Sequence, residues 1–248
     1  MIIASLTTIP KRVETLPRVI EAILNQSYPV DELHLNVPYI CKRTAEEYDL
    51  SLFKVEDSRV KLFRTPDYGA ITKVAPTLLR ISGNTDDYVF SLDDDFAYPR
   101  DTLQKLMHVS SDHPRIITRY GGALSDTGDF NNWFGSGRAN FLEGFGGVLY
   151  PSNIIKKDLL KLLEYVSSDG DLIRSDDIVL STYFNYHNIE IYLHNPITSD
   201  DDYDIEGKLD TESVDALRLD SYDDRRSMYR RAYNKTRSFL DTFWENSP

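Results

Sequence analysis

An apolar run that ends in three consecutive carboxylates constrains this chain more than any other feature. Residues 88–92 (YVFSL) follow a polar turn at residues 83–87 and lead directly into Asp93, Asp94 and Asp95. A short β-branched and aromatic run of this kind predicts a buried strand of a parallel sheet. Side chains alternate along a strand, so we expect Asp93 and Asp95 to point to one side and Asp94 to the other.

Two carboxylates on the same side repel each other unless a cation or a shared proton lies between them. A hard divalent cation with oxygen ligands is the simplest way to relieve that repulsion. The triplet therefore indicates a metal site at the edge of the sheet. A solvated acidic loop is the alternative, because the chain contains 40 Asp and Glu residues and acidic triplets in loops are common in such chains.

The composition bounds the type of protein. With 248 residues, 41% of them hydrophobic, the chain can bury roughly 70–75% of its unfolded surface as one domain with an appendage. The formal net charge of -12 argues against nucleic acid as a partner, because phosphate binding needs clustered basic residues. The single cysteine, Cys41, excludes an internal disulfide. The apolar start is too short for a signal peptide and no apolar run reaches membrane-spanning length, so we expect a cytoplasmic protein without membrane association.

Strands and helices alternate along most of the chain. The patterns predict strands at residues 2–6, 33–37, 59–64, 88–92, 115–120 and 189–193, and helices at residues 14–25, 44–55, 71–81, 101–109 and 152–167. This alternation favours a parallel, doubly wound α/β sheet, whose ligands bind beyond the carboxyl ends of the strands. Thr7, Thr8, the turn before Lys73 and the carboxylate triplet all follow such ends, so we expect them to surround one crevice.

Later segments are less regular. Residues 121–147 are rich in glycine and aromatic residues and predict a long irregular loop, of the kind that is usually functional or mobile. The glycines within residues 143–151 permit the backbone to approach another group closely. Ser175, followed by Asp176 and Asp177, predicts the start of a helix. Acids in a first helical turn also complement the helix dipole without any further function.

The charge reverses near the C-terminus. Residues 198–224 are strongly acidic and imitate a calcium-binding loop, but Ser213 stands where the closing glutamate is expected, so we interpret them as solvated. Residues 225–244 are basic and aromatic and predict a helix that packs on its own domain or on a second copy, adding stability and no chemistry. Binding to a membrane surface or another partner is the alternative. We expect a catalytic domain at residues 1–197, followed by this appendage at residues 198–248.

Five short motifs occur in order along the chain: residues 6–10 (LTTIP), 68–73 (YGAITK), 92–95 (LDDD), 146–151 (GGVLYP) and 175–178 (SDDI). Together they resemble the motifs of GT-A fold glycosyltransferases. Over residues 2–193 the chain is similar to family-2-type enzymes that build bacterial polysaccharides, and to related transferases that large DNA viruses encode for capsid glycans. It departs from the family after the second strand, where Asn36 and Pro38 replace an acid that holds the nucleotide base in many members.

The resemblance implies roles for individual residues. Asp95 would be the main ligand of the metal in the family's acidic (DxD-type) motif, with Asp93 and His194 as further ligands; a structural role for His194 is the alternative. The residues implied to contact the donor nucleotide are Thr8, Arg12, Lys73, Asp93 and Asp94. Asp177, or its neighbour Asp176, would be the catalytic base that takes the proton of the acceptor. The residues implied to contact the sugar and the acceptor are Glu143, Gly146, Gly147 and Trp133.

The implied activity is transfer of a sugar from a nucleotide-diphosphate sugar, with a UDP-sugar favoured, to a hydroxyl of a glycan acceptor. Mn2+ or Mg2+ would stabilise the charge on the departing diphosphate, and a carboxylate would take the proton of the attacking hydroxyl, inverting the anomeric carbon. A nucleophilic carboxylate, giving retention, is the alternative mechanism. The expected partners are the nucleotide-sugar donor, the glycan acceptor and a second copy bound through the C-terminal helix, in the host cytoplasm if the chain is viral.

Two other functions remain open at this stage. An Asp-x-Asp phosphotransferase or phosphatase also uses two acids and Mg2+, but normally at its first strand, and this chain has Ala97 where that motif usually has Thr or Val. A catalytically inactive module that binds nucleotide sugars or carbohydrates is the other alternative. Turnover distinguishes these functions.

Overall fold

The structure is a computed structural model that describes residues 1–83, 86–96, 98–110, 115–195 and 221–245. The strands in these residues are β1 (Ile2–Leu6), β2 (Glu32–Pro38), β3 (Ile40–Cys41), β4 (Glu46–Glu47), β5 (Val60–Thr65), β6 (Tyr88–Ser91), β7 (Ile116–Leu124), β8 (Phe130–Asn132), β9 (Gly135–Ala139), β10 (Phe141–Pro151) and β11 (Ile191–Asn195). The helices are α1 (Leu16–Leu24), α2 (Ala75–Ile81), α3 (Thr102–His108), α4 (Leu159–Val166), α5 (Asp176–Tyr186) and α6 (Tyr222–Glu245). Short 3-10 helices occur at Pro10–Arg12, Leu50–Leu52, Gly69–Lys73, Ser152–Ile154 and Leu172–Arg174.

One large sheet organises the described part of the chain. Its strand order is β5-β2-β1-β6-β10-β7-β11-β9, and β8 pairs with β7 beside this path. Strands β5, β2, β1, β6, β7 and β11 run in the same direction, whereas β10 is antiparallel to both of its neighbours, β6 and β7. The predicted fold class is confirmed: a mostly parallel α/β sheet flanked by helices and followed by a C-terminal helix.

The central strand β6 is buried on both faces. Val89 belongs to a core that includes residues of α2, α4, α5 and α6, and its neighbour Phe90 belongs to a second core that includes residues of α1 and α3. Both side chains are fully enclosed. A strand buried in this way has no room for charge along its length, so its carboxylates can only follow its end.

The helix predicted at residues 44–55 is wrong. This segment forms a hairpin of β3 and β4 and then the 3-10 helix Leu50–Leu52. Ala45 has a φ of 56°, which an α-helix cannot accommodate. The hydroxyl of Tyr48 donates a hydrogen bond to the backbone oxygen of Thr8, 2.7 Å away. A contact between distant parts of the chain therefore overrides the local helical pattern.

The prediction of an irregular loop at residues 121–147 is also wrong, because this segment contains the end of β7, all of β8 and β9, and the first part of β10. A Cβ atom on Gly121 would lie 2.1 Å from the backbone oxygen of Phe141, and one on Gly122 would lie 2.1 Å from the backbone oxygen of Asn131. Glycine thus allows adjacent strands to approach here. It also removes the alternating side chains by which a strand is recognised in a sequence.

Helix α6 lies against α5 and α4. Its buried apolar residues are Met228, Tyr229, Ala232 and Leu240, all of which join the core that α5 also lines. Phe239 stacks on Tyr165 of α4, with ring centres 5.0 Å apart. The apolar face of the helix is therefore covered by the same chain.

The basic residues of α6 pair with acids of the sheet-and-helix body. Arg230 lies 2.8 Å from Asp129, and Lys235 lies 2.7 Å from Asp169 and 2.8 Å from Asp171. The acidic stretch and its calcium-like sequence fall largely in residues 196–220, outside the described residues. Among the helices that the structure describes, none combines the length and apolar character required to cross a membrane.

The packing of α6 predicts a specific loss of stability. Leu240 is completely buried, so Leu240→Ala should lower the free energy of unfolding by about 2–5 kcal/mol through the cavity it leaves. Leu160→Ala in α4 is the matched control, because Leu160 is 47% exposed and its loss should cost less than about 0.5 kcal/mol. Urea unfolding followed by circular dichroism measures both. Equal effects would contradict apolar packing of α6.

Candidate active site

Several segments meet beyond the carboxyl ends of β1 and β6. They are the loop after β1, the 3-10 helix Gly69–Lys73, the turn after β6, the start of α5 and the amino-terminal half of β10. Parallel strands deliver their carboxyl ends to one edge of the sheet. Because β10 runs in the opposite direction, it brings its earlier residues to that same edge.

Asp94 connects the triplet to the loop after β1. Its carboxylate accepts hydrogen bonds from the hydroxyl of Thr8 and the guanidinium of Arg12, each over 2.6 Å. Burial disfavours the charged form of Arg12, but the attraction of Asp94 and Asp95 outweighs burial and raises the Arg12 pKa. The structure thus brings together Thr8, Arg12 and Asp94, three of the residues predicted to contact a nucleotide.

Lys73 links the triplet to the start of α5. Its Nζ lies 2.7 Å from Oδ1 of Asp93 and 2.9 Å from Oδ2 of Asp176. Burial alone would lower the pKa of Lys73, but Asp176, Asp93 and Asp177 together hold that pKa well above its usual value. The ammonium group therefore stays charged in a position where it is only 5% exposed.

Tyr98 supports the turn that carries the triplet. Its hydroxyl accepts a hydrogen bond from the backbone N–H of Asp93 over 2.8 Å and donates one to the backbone oxygen of Phe145 over 3.0 Å. This buried side chain joins the turn to β10. Tyr98 is not among the site residues predicted from sequence, where its only signal is an aromatic residue shortly after the acids.

Asp95 lies close enough to other carboxylates to be affected by their charge. Strand β6 ends at Ser91, so the alternation predicted for the triplet does not extend through it. Asp95 approaches the same guanidinium as Asp94, with 3.4 Å between its Oδ2 and Nη1 of Arg12. Burial and the charge of Asp93 raise the pKa of Asp95 to about 6, although Arg12 opposes this shift.

The donor set of Asp93 and Asp95 fits a divalent cation. The described residues contain no group of three or more His, Cys, Asp or Glu side chains arranged to hold a metal. Mg2+ sites commonly use only one or two carboxylates, however, and take their other ligands from water and substrate phosphates. Burial and, after it, repulsion from Asp93 raise the pKa of Asp95. A cation would relieve that repulsion, so these two residues could hold one.

His194 is not brought to this pair. The strand registers align Leu193 of β11, Thr118 of β7, Val148 of β10 and Ser91 of β6. Three strand spacings therefore place His194 roughly 14 Å from the end of β6. Its Nδ1 lies 3.1 Å from the hydroxyl of Ser136, and burial together with nearby basic side chains lowers its pKa. The structure separates His194 from the carboxylates that it was predicted to join.

Asp177 is held by the backbone of β10. The N–H of Gly144 donates a hydrogen bond to Oδ1 of Asp177 over 2.8 Å. Burial, and after it the charge of Asp176, raises the pKa of Asp177 well above the usual range, although Lys73 opposes the shift. A carboxylate with a raised pKa is a better proton acceptor near neutral pH. Asp177 has this property, whereas the carboxylate of Asp176 is engaged with Lys73.

The glycine nearest these carboxylates is Gly144. A Cβ atom at this position would lie 2.6 Å from Nζ of Lys73 and 3.4 Å from Oδ1 of Asp177. The close approach of backbone expected for this segment therefore occurs at Gly144. Nothing in the sequence pattern distinguishes Gly144 from the glycines that follow, so it is not among the predicted site residues.

The predicted Gly146 and Gly147 face aromatic rings instead. A Cβ atom on Gly146 would lie 2.0 Å from the ring of Tyr120, and one on Gly147 would lie 3.0 Å from the ring of Phe90. Gly147 also has a φ of 89°, which favours glycine. The described contacts of both glycines are with the sheet rather than with the carboxylates.

Glu143 and Trp133 lie on the β8–β10 side of the site. Oε2 of Glu143 accepts a hydrogen bond from Nδ2 of Asn132 over 2.9 Å. Burial raises the pKa of Glu143, and the bond from Asn132 opposes this. The charge of Glu143 in turn contributes to the raised pKa of Asp177. Trp133 follows Asn132 in the chain and is 37% exposed, so it stands at the surface beside this group.

Asn36, which replaces the acid that holds the nucleotide base in the family resembled, is fully buried. Its side chain donates to the hydroxyls of Ser5 (3.1 Å) and Thr77 (3.0 Å) and accepts from Arg80 (2.5 Å). The side-chain amide of Asn36 is thus already engaged in hydrogen bonds with Ser5, Thr77 and Arg80.

Among solved structures, the chain is similar in fold to proteins that include a mannosyltransferase and a cytidylyltransferase. Neither a protein-family model nor a curated protein matches the chain. The mannosyltransferase PcManGT from Pyrobaculum calidifontis, solved in complex with GDP-Man and Mn2+, is 15% identical with a TM-score of 0.46, over 79% of this chain and 54% of that one. The 2-C-methyl-D-erythritol 4-phosphate cytidylyltransferase (IspD) of Francisella tularensis is 14% identical with a TM-score of 0.46, over 81% of this chain and 94% of that one. At this level of similarity neither likeness carries a function over to this chain.

The close approach at Gly144 can be tested by adding a methyl group. Gly144→Ala should push Nζ of Lys73 away from its two carboxylates and lower the free energy of unfolding by about 1–3 kcal/mol. Gly137→Ala is the matched control, since a Cβ atom there would meet nothing within 4 Å. Chemical denaturation of both variants measures the difference. A Gly144→Ala protein as stable as the control would contradict the described contact.

Proposed function

We propose that this protein is a metal-dependent glycosyltransferase. It would move a sugar from a nucleotide-diphosphate sugar, with a UDP-sugar favoured, to a hydroxyl of a glycan acceptor, with inversion at the anomeric carbon. The observation that carries this proposal is the arrangement around Lys73. On one side of this cation are Asp93 and Asp95, which repel each other, and on the other side is Asp177, which has the raised pKa of a proton acceptor.

The side of the crevice near β1 and β6 suits a nucleoside diphosphate. Asp95, assisted by Asp93, would hold Mn2+ or Mg2+, which when bound neutralises the negative charge that develops on the departing diphosphate. Arg12 and Thr8 are fixed in the adjoining loop by Asp94. Fixed donors and charges of this type require no rearrangement during the reaction, which is why they favour the transition state.

The opposite side suits an attacking hydroxyl. Gly144 holds Oδ1 of Asp177, and the carboxylate has a second oxygen with which to accept the proton of the acceptor. Such general-base assistance is worth roughly 100- to 10,000-fold in rate. Because Asp177 activates the acceptor and does not attack the sugar, the proposed transfer is a single displacement, and a single displacement inverts the anomeric carbon.

The direct test is donor binding and turnover by the wild-type protein. UDP-, GDP- and dTDP-sugars, each with and without Mn2+, are compared by thermal shift, where a ligand at 100 times its dissociation constant adds about 2.7 kcal/mol of stability. We expect a UDP-sugar to stabilise the protein only with Mn2+ and to be hydrolysed slowly without an acceptor. Binding without any turnover would indicate an inactive module, and release of phosphate from small phosphoesters would indicate a phosphotransferase.

Asp95 should be essential for the effect of the metal. Asp95→Asn should abolish Mn2+-dependent donor turnover while the protein remains folded, because a neutral amide is a much weaker ligand for a hard cation. Asp126→Asn, at an exposed position after β7, is the matched control and should retain full activity. The measurement is release of UDP as a function of Mn2+ concentration. Full activity of Asp95→Asn would refute the assignment of the metal site.

Asp177 should act in the chemical step and not in donor binding. Asp177→Asn should keep donor affinity near the wild-type value but lower kcat by roughly 100-fold or more, because it removes a group that acts only in the transition state. In the wild type, kcat should rise with pH as Asp177 loses its proton, at a pH above the ordinary titration range of aspartate, since its pKa is raised. The variant should lack this pH dependence.

The split between binding and rate decides the role of Asp177. Isothermal titration calorimetry gives donor affinity, and steady-state kinetics over a range of pH gives kcat. If Asp177→Asn instead loses donor affinity, Asp177 belongs to the donor site and the proton acceptor is Asp176 or Glu143.

A further inference from the structure

The C-terminal helix packs next to β8, on the side of the candidate active site where Glu143 lies. Tyr229 of α6 is 7% exposed, and its ring lies 5.4 Å from that of Phe130 in β8. Phe130 and Asn132 are two positions apart on the same strand, so their side chains share one face of β8. Asn132 is the donor to Glu143. Tyr229 therefore packs on the side of β8 that also supports Glu143.

The electrostatic environment agrees with this placement. Burial raises the pKa of Tyr229 well above its usual value, and the charges of Asp177, Asp176 and Glu143 raise it further. The ring is fixed by its contact with Phe130. The hydroxyl of Tyr229 is therefore close enough to Asp177, Asp176 and Glu143 to be affected by their charges.

Arg225 is placed one helical turn before Tyr229, on the same face of α6. Its positive charge lowers the pKa of Glu143, against the effect of burial. Nε of Arg225 is buried and has no hydrogen-bond partner among the described residues. Arg230, by contrast, lies at the surface and forms an ion pair with Asp129.

We propose that Arg225 and Tyr229, together with Glu143, form the subsite that binds the acceptor sugar next to Asp177. This inference rests on the proposed glycosyl transfer and assigns the acceptor side of the same site. The C-terminal helix is then part of the binding site, contrary to the expectation from sequence that it adds stability and no chemistry.

The chemistry of the three side chains suits a polyhydroxylated ligand. A carboxylate such as Glu143 accepts hydrogen bonds from hydroxyl groups, a guanidinium donates several in one plane, and a phenol can do both. Asn132 already fixes one oxygen of Glu143, which orients the other. Arg225 and Tyr229 bind the acceptor in this scheme: they form hydrogen bonds with its hydroxyl groups but take no proton and form no covalent bond to the sugar.

The test separates acceptor binding from donor chemistry. Tyr229→Phe keeps the ring that packs on Phe130 and removes only the hydroxyl, and Arg225→Gln removes the charge. Transfer is measured from the donor that the wild type hydrolyses to p-nitrophenyl glycosides of glucose, galactose, mannose and N-acetylglucosamine. We expect the acceptor KM to rise roughly 3- to 10-fold in Tyr229→Phe and roughly 10- to 100-fold in Arg225→Gln, the ratios that correspond to one neutral and one charged hydrogen bond.

Two matched controls lie on the same helix. Tyr233→Phe changes a tyrosine that packs against Gly128, and Arg230→Gln changes the arginine paired with Asp129. Both should leave the acceptor KM at the wild-type value. Hydrolysis of the donor by water should be unchanged in the two controls, and in Tyr229→Phe and Arg225→Gln it should fall much less than transfer. The melting temperatures of all four variants confirm that they are folded.

The outcomes distinguish this inference from the proposed function. A wild-type protein that neither binds nor hydrolyses any donor refutes the proposed function itself. If the wild type hydrolyses a donor but transfers to none of the glycosides, the assignment to an acceptor sugar is wrong. If it transfers normally and the two variants keep the wild-type acceptor KM, or lose donor hydrolysis to the same extent as transfer, the subsite is not formed by Arg225 and Tyr229.

Discussion

Nζ of Lys73 lies 2.7 Å from Asp93 and 2.9 Å from Asp176, in a position almost closed to solvent. A buried cation is stable only with carboxylates around it, and those carboxylates would repel each other without it. The ion pairs therefore fix the turn after β6 relative to the first turn of α5, although the two segments are far apart in the chain. A side chain at Gly144 would displace this ammonium group, because its Cβ atom would lie 2.6 Å from Nζ. The positions of the carboxylates on both sides of the crevice therefore depend on the ammonium group of Lys73.

The parts of the fold that could be predicted from sequence are those that local pattern determines. The apolar run of β6, which is buried on both faces, predicts a central strand, and the alternation of strands and helices predicts a mostly parallel sheet. Two segments could not be predicted in this way. Residues 44–55 form a hairpin and a short 3-10 helix because Tyr48 bonds to distant backbone and Ala45 has a positive φ. Residues 121–147 form strands whose glycines conceal the alternation.

The sequence identifies the segments that form the candidate site but not the contacts between their residues. Arg12, Lys73, the triplet and Asp177 were found from motifs, and the structure brings them together. Local sequence could not exclude His194, because its distance from β6 depends on the order of strands in the sheet. The ion-pair partners of α6 were equally hidden. The sequence predicts a basic helix that packs on its own domain or on a second copy, but it does not identify the acids with which Arg230 and Lys235 pair. Charge pattern predicts that a helix will bind acids but not which acids.

The pairing of β10 with β7 shifts between Glu143 and Val148, where the residues from Gly144 to Gly147 stand opposite Arg119 alone. This bulge carries Gly144 toward Lys73, while the pairing continues regularly on both sides of it. The ladder with β6 is set by Val148 and the residues after it. Insertions or deletions inside the bulge would therefore change the shape of the crevice without displacing either ladder. The sheet can remain constant during evolution while changes in the bulge alter the size of the ligand that the crevice admits.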